Sequence, residues 1–297
     1  MSREKIILTG ASGFLGWHFL KKYAEEYEII GIYSSNKWTE FKNVTWVKFD
    51  FLNPKNSSAF YNFLEKEKPD WVLNFAAAAN PNFCEENPET SKTLNRNLPI
   101  ALSNSCFHLG IKLLHCSTDL VFDGESTHYP ETAPTNPISV YGHDKSTADF
   151  HILKTNKNAI VARLPLMFGL NPNGAGFFHN WIEKLKSGEK LFAFTDEFRT
   201  AASCKRVVQG IHLLIKKEEN GLFHLGGLEK VSRFDFAKRL AQFLKIKNPE
   251  IIPSVRADVK MAAARPKDVS LNIQKAQSIG YQPKSLEEEF AIILMEN

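Results

Sequence analysis

Short apolar runs alternate along the chain with longer stretches whose apolar residues recur at helical spacing. "KIILTG" (5–10), "EIIGIYSS" (28–35), "TWVKFD" (45–50), "DWVLNFAA" (70–77), "KLLHCSTD" (112–119) and "AIVARLPLMFG" (159–169) read as strands. Runs of this length, rich in Ile, Val and Leu, suit buried strands. Helices are predicted at 14–26, 55–67, 91–108 and 139–155, with a loop between the second and third strands. Such alternation predicts an α/β fold, a doubly wound, mostly parallel sheet covered on both faces. Beyond residue 170 the rhythm changes. "GLNPNGAGFF" reads as loop, followed by helices near 177–187 and 203–217, a strand "GLFHLGG", a helix "RFDFAKRLAQFLK" and a final helix "EEEFAIILMEN". The later half therefore forms a smaller lobe interleaved with the first, without an obvious linker.

Composition narrows the possibilities. Of 297 residues, 43% are hydrophobic and 24% charged, a globular composition. A net charge of +4 is too small to argue for nucleic acid, though it favours an anionic small ligand. No apolar run is long enough to cross a bilayer, and the chain enters a strand too early for a signal peptide. The expected compartment is the cytoplasm. Four dispersed cysteines argue against a disulfide framework or zinc site, and nine scattered histidines form no HExxH arrangement. No metal is expected.

"ILTGASGFLGWHFL" joins the first strand to the first helix, with Gly10, Gly13 and Gly16 spaced G-x-x-G-x-x-G. Glycine permits a tight turn and a close approach of a pyrophosphate to the backbone. The helix N-terminus, at Phe14 and Leu15, offers that anion unpaired N–H groups. The second strand ends in Ser34, Ser35, Asn36 and Lys37, where an NAD-preferring site usually carries a carboxylate. Hydroxyls and a cation favour NADP(H) over NAD(H). Asp50 and Phe51 end the third strand at the adenine edge, and the small Ala76, Ala77 and Ala78 let a cofactor lie against the end of the fourth.

Tyr141 and Lys145 stand one helical turn apart in "SVYGHDKSTAD", and Thr118 lies at the carboxyl end of the fifth strand, the sheet edge where ligands bind. Tyr33 and Lys37 share that spacing but lie where a strand ends. Hydride transfer to a carbonyl needs a proton for the oxygen. A free phenol, with a pKa near 10, exchanges it poorly, and an adjacent ammonium is expected to lower that value. Lys145 also suits the nicotinamide ribose, and Thr118 the substrate oxygen. Cys116 reads as a buried strand residue.

These segments together resemble the extended short-chain dehydrogenase/reductases, and within them the dTDP-4-dehydrorhamnose reductase family. "GASGFLG", "STDLVFDG", "YPETAPTNPISVYGHDKSTAD", "RLPLMFG", "GLFHLGG" and "AARPKDVSLN" carry the similarity nearly end to end. The resemblance implies a Rossmann-like domain over 1–168, rejoined by a segment near 203–227, and a substrate lobe over 169–297. It further implies Thr118, Tyr141 and Lys145 as the catalytic set, a sugar-nucleotide substrate, and a homodimer. Leu120 replaces the glutamate of the related 4,6-dehydratases. Leu120 and Leu166 also stand where this reductase branch carries Tyr and Trp. "RLPLMFG" is similar, too, to the regulatory β subunit of methionine adenosyltransferase. Asp119, Arg199 and Arg265 are candidate substrate ligands, the arginines for a diphosphate through their planar fork of donors. Phe177 and Phe178 are candidates to cover the nucleotide or to fill the core.

Overall fold

The computed structural model describes residues 3–53, 56–174 and 176–295. Met1 and Ser2 before the first strand, Lys55 of the second predicted helix, Ala175 of the predicted loop, and the last two residues of the predicted C-terminal helix lie outside that set. Strands β1 (Lys5–Thr9), β2 (Glu28–Tyr33), β3 (Val44–Lys48), β4 (Trp71–Asn74), β5 (Lys112–Thr118) and β6 (Ile160–Leu164) form a parallel sheet. A seventh strand, Gly221–His224, adds beside β6, giving the order 3-2-1-4-5-6 followed by that strand. This is the doubly wound order, with its switch point between β1 and β4.

The alternation of side chains divides the interior. Ile6 and Leu8 of β1 face one core and Ile7 the other. Helices α1 (Phe14–Tyr23), α2 (Asn56–Glu67), α3 (Pro81–Glu86), α4 (Pro88–Ser91), α5 (Leu98–Leu109) and α6 (Val140–Thr155) alternate with these strands. The predicted helix 91–108 is more broken than its pattern implied. A π-helical segment, Lys92–Asn97, sits between α4 and α5. Pro99, at the start of α5, has no N–H to give the preceding turn, and its ring crowds that turn's carbonyls.

The predicted strand 159–169 also divides. Pro165 cannot donate to a ladder, and β7 (Met167–Phe168) pairs instead with β10 (Ala202–Ser203). Two further small sheets join β8 (Leu191–Phe194) to β13 (Ile251–Ser254), and β9 (Phe198–Arg199) to β12 (Val231–Ser232). The seventh strand of the main sheet is thus β11 in chain order. Helices α7 (Phe177–Ser187), α8 (Cys204–Lys216), α9 (Arg233–Phe243), α10 (Gln274–Ser278) and α11 (Leu286–Met295) complete the chain. α8 packs on α1. α7, α9 and α11 enclose a separate core whose centre is Phe168, Phe178, Phe236 and Phe290. Phe178 is therefore a core residue.

Candidate active site

The glycine turn is shaped by two backbone contacts. Gly10 has φ +66°, and a Cβ there would lie 2.6 Å from the Ala76 nitrogen. A Cβ on Gly16 would lie 2.5 Å from the Gly10 carbonyl oxygen, so only glycine lets α1 start so close to β1. Gly13 is the N-cap of α1 and makes no side-chain cap bond, and the first turn carries no acidic residue. The N–H groups and positive end of α1 therefore face the cleft beside them.

That cleft has a volume of about 700 Å³ and runs from Gly10, Gly13, Phe14, Leu15 and Gly16 to Thr118, Tyr141 and Lys145. Its far end is lined by Leu120, Leu166, Phe177, Arg199, Arg233 and Arg265. Thr118 ends β5. Tyr141 and Lys145 come from the first two turns of α6, whose N-cap Ser139 accepts from the Gly142 N–H at 3.2 Å. The spacing of four puts both side chains on the buried face, at 7% and 2% exposure. Tyr33, by contrast, packs edge-on against Trp46, and Lys37 is exposed.

Asp149, one further turn along α6, accepts from Arg163 Nε at 3.0 Å and from Ser117 Oγ at 2.9 Å. This buried ion pair ties α6 to the ends of β5 and β6. Lys145 Nζ donates to the Cys116 carbonyl at 2.9 Å, and burial lowers its pKa to about 8. The phenol differs from the sequence expectation. Burial pushes the Tyr141 pKa up, and a hydrogen bond with Thr118 only partly opposes it. Desolvation of the phenolate outweighs the help expected from an ammonium that is itself buried and turned toward a carbonyl. Burial likewise pushes the Cys116 thiol up to about 12, the behaviour of an inert strand residue.

Three arginines converge at the far end, in different states. Arg199 donates through Nη1 to both carboxylate oxygens of Asp119, at 2.8 Å each, and its Nη2 lies 3.3 Å from Glu197. Two predicted substrate ligands, Asp119 and Arg199, are thereby engaged with each other. Arg265 donates to Asn82 Oδ1 at 3.2 Å. Arg233 was not anticipated. Its guanidinium lies 4.0 Å from the Phe177 ring centroid and 4.4 Å from that of Trp181. Its buried Nη1 has no hydrogen-bond partner, and burial lowers its pKa to about 10. A signal for it exists in the sequence. Arg233 is the first residue of a helix, where a cation opposes the helix dipole and needs another reason to be there.

Of the remaining predicted residues, all but Ala77 lie outside this lining. Ser34, Ser35 and Lys37 are exposed on the loop after β2. The carboxylate of Glu40, further along that loop, accepts from Trp17 Nε1 at 2.8 Å. Asp50 accepts from the Leu52 N–H at 3.0 Å, and Phe51 packs on Phe60. Ala77 lines the cleft, whereas the Ala76 N–H lies 3.3 Å from Thr9 Oγ1 and Ala78 is held through its backbone by Asn95. Among the described residues no group of three or more His, Cys, Asp or Glu could hold a metal, and no helix is long and apolar enough to cross a membrane.

The chain is 27% identical over 296 residues to the probable low-salt glycan biosynthesis reductase Agl14 of Haloferax volcanii, covering 96% of each. It is 22% identical over 290 residues to methionine adenosyltransferase 2 subunit beta of Bos taurus, covering 93% of this chain and 83% of that one. Its fold matches that of dTDP-4-dehydrorhamnose reductase from Bacillus anthracis in complex with NADP, with a TM-score of 0.86 and 23% identity over 99% of this chain and 100% of the other. The family model of the RmlD substrate binding domain matches residues 4–296, and the chain belongs to that family.

Proposed function

We propose that the protein is an NADP(H)-preferring reductase of a nucleotide-diphosphate 4-keto-6-deoxysugar, similar to dTDP-4-dehydrorhamnose reductase. The observation that carries this reading is the single cleft joining the glycine turn of α1 to Thr118, Tyr141 and Lys145. The cradle suits a dinucleotide. Gly10 and Gly16 have no room for a Cβ, and Gly13 presents the helix N-terminus. The exposed Ser34, Ser35 and Lys37 suit a 2′-phosphate, and the Glu40 carboxylate is occupied by Trp17. When bound, the reduced nicotinamide supplies hydride to the sugar carbonyl. Tyr141 gives the proton to the developing alkoxide, Thr118 holds that oxygen, and Lys145 holds the ribose and replenishes the phenol. Burial favours the protonated phenol, which suits a donor in the reductive direction.

Arg233 and Arg265 receive the diphosphate in this reading. An arginine with a buried, unpartnered donor has paid its desolvation in advance and gains most from an anion that satisfies it. Leu120 packs against Tyr141 and Cys84 at the position where the family's aromatic residue is expected, so the sugar contacts there differ.

The test is incubation with NADPH and a panel of 4-keto sugar nucleotides on dTDP, UDP, GDP and CDP. Loss of reduced-nicotinamide absorbance in step with product supports the reductase, and Tyr141→Phe abolishes it while retaining cofactor. Isomerisation without net cofactor use marks an epimerase. Tight NADPH binding without turnover across the panel replaces this reading with a regulatory subunit, the alternative raised by the similarity to methionine adenosyltransferase 2 subunit beta.

A further inference from the structure

Arg265 reaches the cleft from a stretch of chain with little packing to hold it. We infer that Asn82, on the opposite wall, is the positioning residue that fixes this stretch and aims Arg265 at the diphosphate. The inference rests on the assignment of that arginine under the proposed function. Pairing of β13 with β8 ends at Ser254. The chain is next tied to β9 at Lys267, whose carbonyl accepts from the Phe198 N–H at 2.8 Å. Residues 255–265 between these points contain the 3₁₀ turn Arg256–Asp258, and most of them are exposed. Ala263 is the exception, at 1% exposure. Met261 and Arg265 line the cleft, and both also border a second hollow of about 340 Å³. A stretch with hollows on two sides needs polar ties to keep its shape.

Two such ties exist. At one end the Arg256 N–H and Nε donate to the Asp196 carboxylate at 2.9 and 3.1 Å, and Arg256 Nη1 donates to the Arg265 carbonyl. At the other, Asn82 Oδ1 accepts from the Ala263 N–H and from Arg265 Nη2, each at 3.2 Å. These last bonds join residues 181 and 183 positions apart, so they exist only across the mouth of the cleft. The Asn82 side chain is available for them because of its place in α3. Asn80 caps that helix, accepting from the Asn82 and Phe83 N–H groups at 3.0 and 3.2 Å. The neighbouring Pro81 lines the cleft. Only the oxygen of an amide can accept from both donors, which fixes the orientation of the Asn82 side chain. A neutral acceptor also orients a guanidinium without neutralising it. Arg199 is the contrast: paired with Asp119 and Glu197, it cannot turn to a phosphate without abandoning two buried carboxylates. Holding Arg265 in advance lowers the rotamer entropy lost when an anion binds.

The test asks whether Asn82 acts through Arg265. Asn82→Ala, Arg265→Met and the double variant are compared with the native chain by calorimetry with UDP and dTDP, and for kcat and KM with the sugar nucleotide that is turned over. Alanine suits a helical turn, and the Asn80 cap is untouched, so the fold is kept. Asn82→Ala weakens nucleotide binding and raises KM by about tenfold, leaving kcat and NADPH affinity within about threefold. In the Arg265→Met background the same substitution changes nucleotide affinity by less than about threefold, because its target is gone. Unchanged nucleotide affinity in Asn82→Ala, equal losses in both backgrounds, or a loss confined to kcat overturns the inference. Amide hydrogen exchange in the ligand-free chain reads the tie itself: residues 256–265 exchange at least about tenfold faster in Asn82→Ala, and unchanged exchange overturns the inference. Should the native chain bind neither UDP nor dTDP, the sugar-nucleotide reading falls, and the exchange experiment alone decides whether Asn82 holds this stretch.

Discussion

At the scale of single residues, the proposed chemistry depends on two cations placed where solvent cannot screen them. Lys145 gives up its proton at about 8 in the folded chain, because burial penalises the ammonium. An unfolded chain keeps that proton to about 10.4. Between these values the unfolded state binds more protons, so stability rises with pH there, and the full penalty applies below about 8. Urea denaturation at pH 7 and pH 9.5 should show native stability gaining on Lys145→Met as pH rises. Turnover should fall over the same window, since the ammonium that supports Tyr141 is lost. A difference between the two proteins that does not vary with pH contradicts the assignment. Arg233 gives the opposite expectation to most core changes. Arg233→Met removes a buried donor with no partner and keeps a chain that can pack on Phe177 and Trp181. It should raise the melting temperature of the free protein while weakening UDP or dTDP binding by about tenfold or more. Lower stability with unchanged nucleotide affinity would show a structural role only.

At the scale of elements, the site depends on how closely α1 meets β1 and how firmly α6 is seated. Gly16→Ala would place a Cβ 2.5 Å from the Gly10 carbonyl and 2.6 Å from the Ala11 carbonyl, both backbone atoms that cannot move aside alone. Overpacking of this kind costs about 1–3 kcal/mol. It should appear in urea titration together with a loss of NADPH affinity in fluorescence titration, because displaced α1 misplaces the N–H groups that the proposal assigns to the pyrophosphate. The second core responds differently. Phe290 is fully buried against Phe168, Phe178, Phe236 and Phe243. Phe290→Ala should cost about 3–5 kcal/mol and leave the glycine turn, which that core does not contain, able to bind NADPH if the chain still folds.

At the scale of the whole molecule, the cleft is walled by both cores: Leu15, Cys116 and Leu164 belong to the core of the sheet, and Phe177 and Leu166 pack on the second. A ligand filling it stabilises every element that contributes. Binding only to the folded chain at 100 times its Kd adds about 2.7 kcal/mol. Thermal denaturation should therefore rise with NADPH, and NADH should require a higher concentration for the same shift if Ser34, Ser35 and Lys37 receive a 2′-phosphate. Equal shifts at equal concentrations would remove the NADP preference from the proposal.

The amino-acid pattern alone determined the alternating strands, the order of helices around them and the glycine turn. Each depends on local causes: runs of Ile and Val, spacing of apolar residues, and a turn between β1 and α1 that only Gly10 and Gly16 permit. The Tyr141–Lys145 spacing was legible for the same reason, being one turn of a helix. Tertiary structure decided what depends on distant partners. The β8–β13 pairing joins short strands about sixty residues apart, and β7–β10 pairs only two residues on each side, too few to leave a pattern. Burial, which sequence does not measure, moved the Tyr141 phenol upward where a neighbouring cation was expected to lower it. The distinction among the arginines was likewise tertiary. Asp119 lies eighty residues before Arg199 and meets it only once the chain has folded, whereas Arg233 is held against the Phe177 and Trp181 rings with its buried Nη1 unpartnered.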